Sequence, residues 1–353
     1  MNILADAALP GLDEAFPAPF NLTRYHHPGE IGRLLEKQDI LLCRSTLKVN
    51  PNLFIDHKPR YVATASSGTD HLDRFYLQKQ NITIIDAKGC NAISVADYVM
   101  SIVAYLQQKN QLEINSAGII GMGKVGTQVF SRLKAVTTEI IPFDPLRESH
   151  DTLFKSNSLD HLYDCDLICI HAEFHQNHPY PSSNLLNAEF FKRLKPGCVI
   201  INAARGGIVN EEDLLQVAES LIYCTDVFSN EPAIDKRIVA AATLCTPHIA
   251  GHSLEAKYNA VAIVSKKLHD LMALPYPEFA KPVSPIIQKW NNDLPWQNQI
   301  LSLYNPFTES AALKGAADLE STFISLRKKH QIRHDFQEYF NGSNKWINSQ
   351  LPN

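Results

Sequence analysis

The sequence has no long hydrophobic run: no stretch approaches the roughly 18 uninterrupted apolar residues that a membrane-crossing helix needs. Its start, "MNILADAALPG", lacks the basic opening and small-residue cleavage pattern of a secretory leader, so a cytoplasmic setting is expected. There is no surplus of charge. The 33 Lys and Arg against 37 Asp and Glu leave a formal −4, which gives no whole-chain case for nucleic acid, so any anion site is local. Cysteine is scarce and odd in number. The seven lie in apolar stretches such as "CDLICIH" and "YCTDVF", which fits reduced thiols in a packed interior better than a disulfide framework. Cys165 and Cys169 raise the thought of a metal, but buried strand residues are the safer reading, and no metal site is expected.

What is present is an alternation of short apolar runs with helical segments, the pattern of parallel sheets covered by helices. The chain's 353 residues, 45% of them hydrophobic, suffice for two cores and two or three domains. "NILADA", "DILLCRS", "YVATASS" and "ITIIDA" supply four candidate strands of a first α/β unit, residues 1–92, completed by about residues 257–275. In "NAISVADYVMSIVAYLQQK", Val95, Val99, Ile102, Val103 and Leu106 recur at helical spacing and predict a long helix joining two domains. Six further strands follow in residues 93–256, at "AGIIG", "EIIPFD", "DLICIH", "CVIINAA", "IYCTDVF" and "TLCTPH", the complement of a doubly wound dinucleotide domain. The proline-rich "PYPEFAKPVSP" reads as a linker, and residues 276–353 as a third unit.

The first chemical motif is Gly121-Met122-Gly123-Lys124-Val125-Gly126. Alone, such a glycine pattern is weak evidence, because glycines also serve ordinary turns. Its setting strengthens it: an apolar strand precedes, a helix follows, and Asp144 ends the next strand about twenty residues on. Glycines let the backbone approach a pyrophosphate, and the carboxylate accepts the ribose hydroxyls while repelling a 2'-phosphate. NAD is favoured over NADP, although Arg147 stands nearby.

In such a sheet, ligands sit beyond the carboxyl ends of the strands. "NAARGGIVNEEDLL" places Arg205 there, able to grip a substrate carboxylate with a bidentate fork. "TDVFSNEP" and "TPHIAGHS" bring Asp226, Glu231 and His248 to neighbouring strand ends. A hydride leaves a secondary alcohol only as the hydroxyl proton is removed, which calls for a base such as His248, with Glu231 to orient the ring and stabilise its charged form. Each residue alone has a dull alternative: a helix cap, a core histidine, a surface pair.

In these residues the chain resembles the D-isomer-specific 2-hydroxyacid dehydrogenases, through "GMGKVG", "NAARGGIVNEEDLL", "DVFSNEP" and "TPHIAGHS" in that order, over roughly residues 1–265. The resemblance implies two doubly wound parallel-sheet α/β domains, a flavodoxin-like substrate domain and a Rossmann NAD domain. It implies that Arg205 binds the carboxylate, that Glu231 and His248 form the acid/base pair, and that Asp226 and Gly251 contact the nicotinamide end. Ala172, Ala203 and Ala204 would lie along NAD with the glycine-loop residues. "CRSTLKVN", "ATASSGTDHLD", "KGCNAISVADYV" and "HPYPSSNLL" are similar to a branch whose substrate is a phosphorylated four-carbon hydroxy acid. "LESTFISLRKKHQIRHDF" resembles that branch's small C-terminal dimerisation domain and implies a homodimer through residues beyond about 284. Three departures bear on substrate affinity more than on reaction type: His252 stands where the branch usually has tyrosine near the substrate, "IHAEF" replaces "HTPL", and Ser66 replaces threonine.

For the phosphate, Arg44, Ser45 and Lys48 follow the apolar "DILL" and offer a fork, a hydroxyl and a point charge; the alternative is a solvated loop. Ser66 and Gly68, at the next strand end, would let a substrate carboxylate approach backbone N–H groups. The tail cluster Arg327, Lys328, Lys329, His330 and Arg333 reads as a solvated helical face, with Arg327 or Arg333 reaching a partner subunit's phosphate site as the sharper alternative. The expected reaction is NAD-dependent oxidation of 4-phospho-D-erythronate to 2-oxo-3-hydroxy-4-phosphobutanoate, in the route to vitamin B6. A glyoxylate or hydroxypyruvate reductase, and a non-catalytic NAD-sensing corepressor-like protein, are the competing readings.

Overall fold

The computed structural model describes residues 1–54, 56–330 and 333–340. The chain forms two compact units, Met1–Asn91 with Ser253–Ser284, and Ala92–His252 with Pro285–Asn353.

The first unit is built on five parallel strands: β1 (Asn2–Asp6), β2 (Asn21–Tyr25), β3 (Ile40–Cys43), β4 (Tyr61–Thr64) and β5 (Thr83–Asp86), in the order β2-β1-β3-β4-β5. Runs such as "ILLC" in β3 are wholly buried, as strands covered on both faces must be. The sequence reading has four strands here, and the structure adds β2. Its "NLTRY" pairs only with β1 and is half-exposed at the sheet edge, so it carries no apolar run to announce it. The helix Leu254–Leu271 returns to this unit and packs Ala260, Val261, Val264 and Leu268 against Ile3, Ala5, Ile40 and Leu42. The order reverses between β1 and β3, so the carboxyl ends carrying Asp6 and Arg44 flank the switch point where such sheets take ligands.

All six strands expected of the second unit form: β6 (Ser116–Ile120), β7 (Glu139–Phe143), β8 (Leu167–Ile170), β9 (Val199–Asn202), β10 (Ile222–Thr225) and β11 (Leu244–Cys245). They are parallel, in the order β11-β10-β9-β8-β6-β7, and the switch point lies between β6 and β8. Helix α1 (Ala92–Asn110) buries Val95, Val99, Ile102, Val103 and Leu106, the stripe read from the sequence, and packs on α2 (Lys124–Leu133). The sequence reading gives residues 276–353 a unit of their own. In the structure, residues 275–291 have no regular secondary structure, and the helices that follow pack on the second unit. Of these, α3 (Trp296–Leu303) lies on α1, α4 (Phe307–Lys314) lies beside β11, and α5 (Leu319–Lys329) packs on α4. Residues 341–353 of that expected unit lie outside the described residues.

All seven cysteines are free thiols and six are buried, Cys165 and Cys169 among them. Among the described residues, no helix is long and apolar enough to cross a membrane, and no group of three or more His, Cys, Asp or Glu is placed to hold a metal.

Candidate active site

The glycine loop leaves β6 where glycine is required. Gly121 has φ +88°, and a β-carbon there would meet the Ala172 backbone nitrogen at 2.5 Å. At Gly126 a β-carbon would fall 2.0 Å from the Gly121 carbonyl oxygen, so helix α2 can start against β6 only with glycine. Gly123 is different: a β-carbon there would touch nothing within 4 Å. Together these leave an open approach over Gly123 at the start of a helix whose first residues are the exposed Lys124 and half-buried Val125, and the residues present fit a pyrophosphate. Asp144 follows β7. Its Oδ2 accepts the Met122 amide at 2.8 Å and its Oδ1 the Arg147 amide at 2.9 Å. The Arg147 side chain is committed elsewhere, donating to the Met122 carbonyl and Asp151 while lying over the Phe154 ring. A cavity of about 520 Å³ opens beside Gly121, Asp144 and Ala172 and is lined on its other side by His175, Tyr180 and Pro181. "HPYPSSNLL" supplies Tyr180 and Pro181 of this wall, though it carries no periodicity that would place them there.

Arg205 lies just past β9 in a half-buried loop shaped by the buried Asn202, whose side chain accepts the Ala204 amide and donates to the Arg205 carbonyl. Arg205 Nη1 donates to the Ala204 carbonyl. Ala204 is buried and Ala203 half-buried. The next residue, Gly206, lies against the loop after β10: a β-carbon would stand 1.9 Å from the Phe228 carbonyl oxygen. The Phe228 amide in turn donates to Glu231 Oε1 at 2.9 Å, and Glu231 Oε2 lies 2.6 Å from His248 Nδ1. Arg205, Glu231 and His248 are thus brought together by contiguous loop contacts at three adjacent strand ends.

The electrostatics favour one proton arrangement. Burial pushes the Glu231 carboxyl up, but the His248 hydrogen bond and charge, the Phe228 amide and the Arg327 charge outweigh it and hold it below its ordinary value. Glu231 is therefore an ionised acceptor at neutral pH, His248 Nδ1 carries the proton between them, and Nε2 is the ring nitrogen left for a substrate. His248 itself has φ +56°, an uncommon backbone state for a histidine.

Asp226 holds that backbone. Its buried carboxylate accepts the Thr246 hydroxyl at 2.6 Å, the Ile249 amide at 2.8 Å and the Ala250 amide at 2.8 Å, while Tyr98 of α1 hydrogen-bonds Thr246. Asp226, which the resemblance implies contacts the nicotinamide end, has its carboxylate turned into the 246–250 loop. Gly251 and His252 continue the loop, half-buried, and the His252 amide donates to the Ile249 carbonyl.

In the first unit, Arg44 follows β3 and its Nε donates to Asp6 Oδ2 at 2.7 Å, across the switch point. Ser45 and Lys48 are exposed on the same turn. The Ser66 hydroxyl donates to the Gly68 carbonyl and is linked to Thr64. Asp6 went unnoticed in the sequence, because an acid ending a strand looks like any turn residue.

The tail cluster divides. Lys328 and Lys329 are exposed, as a solvated face requires, but Arg333 is 2% exposed and His330 pairs with the buried Glu309. The solvated-face reading fails for these two because α5 ends at Lys329 and the chain turns inward. Arg327 lies close enough to Glu231 to lower its carboxyl pKa.

A glycine loop at the β6/β8 switch point and a histidine–carboxylate pair beside an arginine define the class: an NAD-dependent dehydrogenase of 2-hydroxy acids. Residues 102–250 match the family model of the D-isomer specific 2-hydroxyacid dehydrogenase NAD binding domain. The chain is 58% identical over 340 residues to an erythronate-4-phosphate dehydrogenase of Legionella pneumophila, covering 96% of this chain and 97% of that one. It is 32% identical to the enzyme of that name from Saccharophagus degradans, covering 96% and 94%. The NAD-bound 3-phosphoglycerate dehydrogenase of Entamoeba histolytica superposes with a TM-score of 0.64 at 21% identity, over 77% of this chain and 95% of that one. The chain belongs to the erythronate-4-phosphate dehydrogenase family.

Proposed function

We propose that the protein oxidises 4-phospho-D-erythronate at C2 to 2-oxo-3-hydroxy-4-phosphobutanoate in the cytoplasm, serving vitamin B6 synthesis. The observation that carries the reading is the 2.6 Å Glu231–His248 contact at the strand end next to Arg205, in a chain 58% identical to a protein named for that substrate. Bound NAD supplies the hydride acceptor. Arg205 grips the substrate carboxylate and fixes C2, His248 Nε2 takes the C2 hydroxyl proton, and Glu231 stabilises the imidazolium that results. Asp226 sets the loop that carries His248, Gly251 contacts the nicotinamide end, and Met122, Ala172, Ala203 and Ala204 line the path of the dinucleotide. Arg44, oriented by Asp6, joins Ser45 and Lys48 in holding the phosphate; Ser66, Gly68 and His252 contact the rest of the substrate.

The test is a purified-protein assay of 4-phosphoerythronate against erythronate, glycerate and lactate, following NADH. A strong preference for the phosphorylated acid is expected. Equal turnover of glycerate would favour a general reductase, and NAD binding without turnover of any acid would favour the corepressor-like reading. Arg44→Ala should raise KM for the phosphorylated acid alone; equal losses on erythronate would make the Arg44 loop structural.

The assembly we infer is a homodimer through residues beyond about 284. Its support is apolar surface: Ile286 is 89% exposed, with Val283, Ile287 and Leu294 also uncovered on the same segment. Light scattering should give a dimer mass for the wild type and a monomer mass for Ile286→Asp. An unchanged mass would move the contact elsewhere.

A further inference from the structure

Ala250 is held from both ends. Its amide donates to Asp226, and its carbonyl accepts Arg333 Nη2 at 2.6 Å and the Ser94 hydroxyl at 3.1 Å. The same Arg333 nitrogen donates to the Ser94 carbonyl at 3.1 Å and the Ser94 hydroxyl at 3.0 Å. One buried cation therefore ties the first turn of α1 to the loop that carries His248 and His252.

The surroundings keep that cation in place. The Arg333 guanidinium lies 4.6 Å over the Tyr304 ring. Tyr304 meets His330 edge-on, and the His330 ring stands 5.8 Å from that of His252. Asp97 of α1 is buried in an ion pair with Arg132, accepts the Phe336 amide at 2.8 Å, and feels the Arg333 charge. Burial raises its carboxyl above the ordinary value, against the opposing pull of Arg132, the Phe336 amide and Arg333.

Docking a tail needs only apolar side chains. The tail supplies Phe336 and Phe340 to the same core, so a buried cation adds desolvation cost without adding apolar contact. What the guanidinium does add is direction: a planar donor aimed at the carbonyl of a loop whose opposite side is already fixed by Asp226. We propose that Arg333 is a positioning residue for the Ile249–His252 loop, and that the C-terminal segment thereby completes the active site of its own subunit. This rests on the reading that His248 and His252 face the substrate.

The test uses the full chain with Arg333→Lys, which keeps the charge beside Asp97 but not the planar Nη2 donor that reaches the Ala250 carbonyl, and Arg333→Ala. Hydrogen–deuterium exchange of the peptide covering residues 244–253 is measured with kcat, KM, NADH affinity and particle mass. Exchange there should rise about tenfold or more in both variants. kcat should fall on the order of 10²-fold, as a misplaced reacting group does, with NADH affinity and mass unchanged and with partial rescue of Arg333→Ala by added guanidinium ion. Unchanged exchange and kcat in Arg333→Lys would overturn the proposal, as would losses that follow assembly and resist guanidinium. If Arg333→Ala does not fold, Arg333→Lys alone decides. Exchange reads the clamp whatever the substrate, so failure of the wild type to oxidise 4-phosphoerythronate would remove the substrate reading and leave this one standing.

Discussion

Glu231 and His248 are joined through one oxygen and one nitrogen, while the other Glu231 oxygen is occupied by the Phe228 amide. The carboxylate can neither rotate away nor exchange partners without leaving a buried N–H unpaired. The His248 hydrogen bond and charge hold the Glu231 carboxyl below its ordinary value despite burial, so the carboxylate is the ionised acceptor that orients the ring. Glu231→Gln should therefore reduce turnover roughly 10–100-fold. Single-turnover rates with C2-deuterated substrate check this; a rate equal to the wild type removes Glu231 from the proton path.

Arg205→Ala should fail differently. Losing the carboxylate grip raises KM and lowers kcat together, for a loss in kcat/KM on the order of 10²–10³-fold. Glu231→Gln, by contrast, should lower kcat with little change in KM. A kcat loss in Arg205→Ala with KM unchanged would mean that the arginine does not hold the substrate carboxylate.

Asp144 discriminates between cofactors. NAD should be used in preference to NADP, because the carboxylate repels a 2'-phosphate and Arg147 is held by Met122 and Asp151. Asp144→Ala should narrow the preference mainly by weakening NAD, since the Met122 amide also loses its acceptor. Steady-state kinetics with both cofactors decide it, and equal wild-type efficiency with the two would defeat the idea.

Asp166 gives a stability prediction whose sign is fixed. Burial raises its carboxyl, but Lys195, the Ser116 and Asn115 amides and the Ser116 hydroxyl bring it down to about 2. The folded value lies below the unfolded one of about 3.9, so the stabilisation is complete above that pH and disappears as pH falls towards 2. Asp166→Asn should lower stability by about 1–2 kcal/mol at neutral pH, the difference closing between about pH 4 and pH 2. Urea melts at several pH values read it; a gap independent of pH would assign the loss to packing.

Much of this was legible in the chain. Five of the six strands of the second unit are short apolar runs with buried cores, and β7, half-exposed at the sheet edge, still carries the apolar "IIPF", so each announces itself. Arg205, Glu231 and His248 could be placed because they follow successive strands, whose ends the structure puts side by side. β2 was not legible, because an edge strand with one neighbour has no need of an apolar run. Arg333 was not, because a basic residue four positions past the end of a lysine-rich helix looks solvated until the chain is seen to turn inward. Asp226 was found for its place, while its job of holding three donors depends on a turn that only the folded backbone defines.

The buried thiols make the molecule its own reporter of opening. Burial pushes the thiol of Cys43 up to about 12, and those of Cys198 and Cys224 to the same level. Such a sulfur is alkylated only while its surroundings are briefly open, so its labelling rate measures how often that happens. The buried Cys43 belongs to the first unit, and Cys165, Cys169, Cys198, Cys224 and Cys245 to the second. Pulse alkylation followed by peptide mapping would therefore time the breathing of the two units separately, on the unmodified chain.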